Sequence, residues 1–394
     1  MMQPVYILSG VRTAIGSFGD SLQGFSPADL GKLVIEEALA RAHVAAADVG
    51  HVVLGNVIQT TSKDAYLARV AAVDAGIPIQ TPALTLNRLC GSGVQAIISA
   101  AQMVTLGECE VAVAGGAEVM SRSPHLATTV RNGVRMGDAV LVDALLQILS
   151  DPFEGMHMGV TAENVAADYA ITREEQDRLA VESHRRAARA ISEGRFSQQI
   201  LPIEIRDRKS TRVFQIDEHV RTDVSFETIS AMRPAFQKDG TVTAANASGI
   251  NDGAAALVLA SERVAERSAL RPRARILGWG YAGVEPSRMG IGPVKAVPAA
   301  LTRAGVKLGD IDVIESNEAF AAQACAVAKL LAFDPDKTNP NGSGISLGHP
   351  VGATGAILTV KALHELERIK GRYALITMCI GGGQGIALVI ERTD

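Results

Sequence analysis

Apolar positions fall in two rhythms along this chain. Short continuous runs, Val52-Val53-Leu54, Val111-Ala112-Val113-Ala114, Ala254 to Leu259, Val313-Ile314 and Tyr373 to Thr377, read as strands buried on both faces. Between them, stretches such as Ala38 to Val44, Ala96 to Ser99, Ala300 to Val306 and Ala356 to Thr359 read as helices. Strand and helix alternate, which predicts an α/β architecture. The opening Val5-Tyr6-Ile7-Leu8 is expected as the first strand rather than as a signal peptide.

The pattern also repeats. Ala38-Leu39-Ala40-Arg41-Ala42-His43-Val44 returns as Ala300-Leu301-Thr302-Arg303-Ala304-Gly305-Val306, 262 residues on. Ala96-Ile97-Ile98-Ser99 returns as Ala356-Ile357-Leu358-Thr359, 260 residues on. Two similar halves imply a duplicated domain. At the second offset Cys90 falls within one residue of His349, so both are expected at the mouths of equivalent helices facing one cleft.

Residues 120–249 fit neither half and are expected as an insertion. Within it the spacing predicts one helix from about Thr161 to Glu193, stopped by Gly194. The expected organisation is a first half over 1–119 with 250–270, an inserted loop domain over 120–249, and a second half over 271–394.

Composition narrows the function. The chain is 47% hydrophobic and 20% charged with a net charge of -4, which fits a large soluble core and argues against nucleic acid as a partner. No stretch of 18 apolar residues predicts a membrane span, and the cytoplasm is the default location. Four cysteines over 394 residues suggest reduced thiols. Their spacing offers no metal site.

Two of those thiols stand beside glycines. Cys90 lies in Asn87-Arg88-Leu89-Cys90-Gly91-Ser92-Gly93 before a helix pattern, and Cys379 precedes Ile380-Gly381-Gly382-Gly383-Gln384-Gly385. A helix N-terminus and a nearby histidine lower a thiol's pKa, so Cys90 is a candidate nucleophile with His349 its partner. Taken alone, Cys90 is as readily a small buried residue at a tight turn. His349, between Gly348 and Pro350, suits a general acid/base or an oxyanion donor. The glycine turn after Cys379 suits backbone N–H donation to an oxyanion. Asn317 either caps a helix or fixes a water or carbonyl. His43, His51, His125, His184, His219 and His364 are expected at the surface. His157, in Gly155-Met156-His157-Met158-Gly159, is more suggestive.

Five ordered motifs together resemble the thiolase family over essentially the whole length. They are Asn87 to Gly93, Gly115-Gly116-Ala117-Glu118-Val119-Met120-Ser121, Asn317-Glu318-Ala319-Phe320, Asn339 to Pro350, and Cys379 to Gly385. The resemblance implies a duplicated fold with mixed five-stranded sheets in α-β-α-β-α layers. It implies Cys90 as the acyl-accepting nucleophile, His349 as its base and Cys379 as the acid/base acting on an α-proton. Asn317, through a water, and His349 would hold the enolate oxygen. The backbone N–H groups of Cys90 and Gly381 would hold the acyl-enzyme oxygen.

The resemblance extends to binding. Arg221 matches a position near the CoA phosphates, Ser248 with neighbouring Ala244 a pantetheine contact, and His157 and Met158 the wall of the acyl pocket, beside Ala319 and Phe320. CoA thioesters are then substrates, acetyl-CoA and short-chain acyl-CoA, with no cofactor and no metal. Similarity is closest to the biosynthetic-type β-ketothiolases of polyhydroxyalkanoate synthesis. Ser121 to Gly137 resembles the loop that joins dimers into a homotetramer.

Other readings are a degradative thiolase of broader chain length, a decarboxylating ketoacyl synthase, a dinucleotide oxidoreductase, and a non-catalytic CoA-binding protein. Ketoacyl synthases carry a second histidine where this chain has Asn317. No strand-G-x-G-x-x-G-helix unit supports an oxidoreductase.

Overall fold

Residues 4–206, 210–267 and 271–393 are described by the computed structural model, so Met1 and the expected join at residue 270 lie outside them. The apolar runs form the main strands: β1 (Val5–Thr13), β2 (His51–Gly55), β3 (Ala83–Leu86), β4 (Val111–Val119), β5 (Asn251–Ser261), β6 (Ala274–Gly283), β7 (Val313–Ser316), β8 (Tyr373–Ile380) and β9 (Gln384–Arg392). Their order across the sheet is β7-β8-β9-β6-β1-β5-β4-β2-β3. Every residue of β4 and β5 is buried, as a strand covered on both faces requires.

The first half is a mixed five-stranded sheet. β2 runs parallel to β3 and β4, while β5 is antiparallel to β1 and β4. The second half repeats the plan with β7 parallel to β8, and β9 antiparallel to β8 and β6. Its fifth place is reduced to a parallel bridge between Ile314 and Thr338. The two sheets join where Val5–Ile7 pairs with Ala274–Ile276.

Helices complete the layers. Pro27–Ala42 covers the outside of the first sheet and Gly292–Ala304 the outside of the second. Ser92–Thr105 and Thr354–Ile369 lie between the sheets, touching strands of both halves. These central helices meet at their first turns. A Cβ on Gly93 would lie 2.5 Å from the Ala356 nitrogen, and one on Gly355 would collide with the Val94 nitrogen. Only glycine allows the helix mouths to approach that closely.

The structure sharpens the repeat. The central helices begin at Ser92 and Thr354, 262 residues apart, as do β4 and β8. The counterpart of Cys90 is therefore Gly352, not a neighbour of His349. His349 belongs to the turn before the second helix mouth.

Residues 120–249 carry short ribbons, loops and helices. The single helix expected from Thr161 to Glu193 is two, Met158–Asp168 and Arg173–Ser192. Ala170 adopts a left-handed conformation at the break, and Thr172 restarts the chain through a capping box with Glu175. The segment is tied down by buried polar contacts. Arg12 forms a bidentate pair with Asp217 (2.7 and 2.9 Å), and Ser183 donates to Glu318 (2.6 Å). Among the described residues no helix is long and apolar enough to cross a membrane.

Candidate active site

Cys90 sits in a tight strand-to-helix turn that its neighbours hold in place. Leu89 takes a left-handed conformation, φ 46°. Its N–H donates to the Asn87 side chain (2.8 Å), and the Ser92 hydroxyl accepts from Arg88 N–H while donating to the Leu89 carbonyl (2.8 and 2.7 Å). Such strain persists where the surroundings over-determine it. The turn presents Cys90 to a partly open cavity of about 60 Å³.

The other half of the chain supplies the facing wall. Gly348, φ 107°, brings the backbone against Asn251, whose amide carbonyl accepts from the His349 N–H (3.0 Å). A Cβ at Gly348 would lie 2.5–2.6 Å from that amide. His349 Nδ1 lies 2.7 Å from the Thr354 hydroxyl, which donates to the Pro350 carbonyl (2.9 Å). With the hydroxyl proton committed there, Nδ1 is the donor and Nε2 is free to accept. The Asn317 amide nitrogen lies 3.4 Å from Nε2, and its carbonyl oxygen is buried without a partner.

Cys90, Met158, Ser248, Ala319, Phe320, His349, Cys379 and Gly381 all line this one cavity, and these eight come from points up to 291 residues apart in sequence. The remaining expected residues lie elsewhere. His157 is half-buried, accepts from the Gly159 N–H through Nδ1 (3.0 Å) and stacks on Phe236 at 4.7 Å. Phe236 in turn packs edge-on to Phe320, so His157 backs the wall rather than lining it. Arg221 and Ala244 are exposed and outside the cavity. The Arg221 N–H donates to His184 Nδ1 (3.1 Å).

The electrostatics depart from the sequence expectation. Burial pushes the Cys90 thiol up to about 11, although the N–H groups of Gly381 and of Cys90 itself face the sulfur and favour its charged form. Burial holds His349 down to about 4. The two therefore rest as neutral thiol and neutral imidazole near pH 7. Cys379 is raised by burial and by its proximity to Cys90.

Several residues escaped the sequence reading. Met289, Leu149, Val57 and Val351 line the cavity, and Thr354 and Asn251 hold His349. Glu118 is fully buried next to the site; an acid inside an apolar strand was the available signal. His184, expected at the surface, is buried, and desolvation lowers it to about 4.

The chain is similar to known proteins over its whole length. Residues 5–263 match the model for the thiolase N-terminal domain, and 270–392 that for the thiolase C-terminal domain. The chain is 62% identical over 393 residues to the beta-ketothiolase BktB of Cupriavidus necator, with 100% of each chain covered. It superposes on the crystal structure of the Bacillus anthracis acetyl-CoA acetyltransferase with a TM-score of 0.97 at 47% identity, covering 100% of this chain and 99% of the other. It matches human mitochondrial 3-ketoacyl-CoA thiolase equally in shape, at 0.97, with 44% identity and 99% coverage of each. By both family models and by identity across its full length, the chain belongs to the thiolase family.

Proposed function

We propose that this protein is an acetyl-CoA C-acyltransferase, reversibly condensing two acetyl-CoA, or acetyl-CoA with a short acyl-CoA, to a 3-ketoacyl-CoA. The observation that carries the reading is the convergence of two thiols, an imidazole and a backbone N–H pair on one apolar cavity.

In the first half-reaction Cys90 Sγ attacks the thioester carbonyl and its proton passes to His349 Nε2. Neither group is charged at rest, so the base acts during the attack instead of maintaining a thiolate. The N–H groups of Cys90 and Gly381 hold the developing oxyanion. The tetrahedral adduct collapses, and the departing CoA sulfur takes the proton back from His349. In the second, Cys379 passes its thiol proton to His349 Nε2 and, as the thiolate so formed, removes an α-proton from acetyl-CoA while Asn317 and the protonated His349 face the enolate oxygen. The carbanion attacks the acyl carbon on Cys90, the C–S bond breaks, and His349 gives its proton to the released Cys90 sulfur, while Cys379 keeps the α-proton, so both thiols and the neutral imidazole are restored.

Met158 and Met289 at the cavity wall support a short acyl group and the biosynthetic type. Ser248 at the cavity and exposed Arg221 outside it support a pantetheine arm running through the mouth to phosphates beyond. Residues 125–141 are exposed and present Leu126, Val130, Val134, Met136, Val140 and Leu141. This patch supports assembly of dimers into a tetramer. A cytoplasmic setting suits the free thiols.

The test is product formation. Acetyl-CoA alone should yield acetoacetyl-CoA and CoA, and thiolysis should show parallel double-reciprocal lines, as ping-pong kinetics require. A requirement for a malonyl thioester, or intersecting lines, would overturn the reading.

A further inference from the structure

Glu118, last but one in β4, has no exposed surface and, among the described residues, no cationic partner in its hydrogen-bond shell. One carboxylate oxygen accepts from the Asn56 amide (3.0 Å) and the Ile58 N–H (3.0 Å). The other accepts from the Val57 N–H (3.0 Å) and the Gly352 N–H (2.9 Å). All four partners are neutral donors. Three come from the loop after β2 in the first half, and the fourth from the turn that carries His349 in the second. Val57 and Val351 are cavity walls.

The pseudo-symmetry shows what is special here. The residue 262 positions after Glu118 is Ile380, and the one 262 after Cys90 is Gly352. Each strand end reaches across to the opposite helix mouth. In one direction the Gly381 N–H faces the Cys90 sulfur; in the other, Glu118 grips the Gly352 N–H. The duplicated core thus carries a buried carboxylate at one of two equivalent places and an apolar residue at the other.

We propose that Glu118 is a positioning residue that clamps the Asn56–Ile58 loop to the His349–Gly352 turn, fixing His349 opposite Cys90. Burial pushes the Glu118 carboxyl up to about 8, against which the four converging donors favour the charged form, because a carboxylic acid proton there has no acceptor. Burial is the main cause of the raised Cys90 thiol, and a charged Glu118 adds to it, while Asp64, held by Thr60 and Thr61, adds like charge to the same region. The inference rests on Cys90 as the nucleophile.

Glu118→Gln tests it. An amide keeps the shape but turns two N–H donors toward groups that also donate. The expected result is a fall in kcat of roughly 100-fold, the scale of a small misalignment of reacting groups, with KM for acetyl-CoA little changed. Cys90 alkylation by iodoacetamide should have its midpoint at lower pH than in the unaltered protein, a shift that mere loosening does not produce. Unchanged kcat with an unchanged alkylation midpoint overturns the clamp. If the variant fails to fold, hydrogen–deuterium exchange on the unaltered protein decides. The Val57, Ile58 and Gly352 amides, though outside regular structure, should exchange as slowly as β4, and fast exchange sinks the proposal. Acetylation of Cys90 in the unaltered protein separates the two readings. Its absence removes the nucleophile; its presence with a wild-type-like Glu118→Gln removes only the clamp.

Discussion

Met158→Ala should change which acyl group the enzyme prefers. Met158 is buried in a cluster with Met289, Ala319, Phe320 and Cys379, and its methyl carbon would lie 3.0 Å from a Cβ at Gly381. It therefore fills space directly beside the N–H that faces Cys90. Truncation removes the side chain beyond Cβ and costs about 2–5 kcal/mol of stability, as other buried methionine truncations do. It also makes room for a longer chain. Each methylene moved from water into that space contributes about 0.8 kcal/mol. A butyryl group carries two more than acetyl, so kcat/KM for 3-ketohexanoyl-CoA thiolysis should rise by about 15-fold relative to acetoacetyl-CoA. The assay is the ratio of the two kcat/KM values in both proteins, with thermal melting to confirm that the cavity opened. A lowered melting temperature with an unchanged ratio would show that the acyl chain does not lie against Met158.

Other consequences follow from the same geometry. Thr354→Val removes the acceptor that fixes His349 Nδ1–H, so acylation should slow while Thr354→Ser restores it; equal damage in both variants contradicts the orienting role. Lys361→Met leaves Glu315 buried and unpaired, since the Lys361 ammonium lies 2.7 Å from it and both are buried. Denaturant titration should show a loss of about 3–5 kcal/mol, and a loss below 1 kcal/mol argues that water reaches the pair. His184, held down to about 4, is protonated only in the unfolded chain between about pH 6.5 and 4. The unfolded state there binds the extra proton, so its contribution to stability falls as pH falls through that window. His184→Gln should flatten the acid-side decline by up to about 1.4 kcal/mol per pH unit, and an unchanged slope contradicts the shift.

Much of the fold was legible because its core repeats. Burial on both faces forces continuous apolar strands such as β4 and β5, and duplication makes the helices beside them recur at a fixed spacing. The residues that gather at the cavity were legible because glycine marks close backbone approaches beside them, as at Gly348. What was hidden depends on neighbours distant in sequence. Helix entry alone suggested a low pKa for Cys90, but the apolar walls from Met158, Phe320 and Val351 reverse its direction. Glu118 lay inside a quoted motif, yet nothing local says that its carboxylate meets Gly352, 234 residues away. His184 sits in a helix rich in charge, and only the Arg221 segment folding over it explains its burial. The break at Ala170 was readable from Thr172 and Glu175, a capping box inside a stretch that otherwise looks like one helix.

The central claim is that Cys90 takes the acyl group and Cys379 handles the carbon-bound proton. Incubating the protein with acetyl-CoA and locating the added acetyl by peptide mass spectrometry tests it most directly. The account predicts acetyl on Cys90, persisting in Cys379→Ser while condensation falls by roughly 10²- to 10⁴-fold, the range lost with a positioned acid/base. Acetyl on Cys379, or none on Cys90, would contradict it.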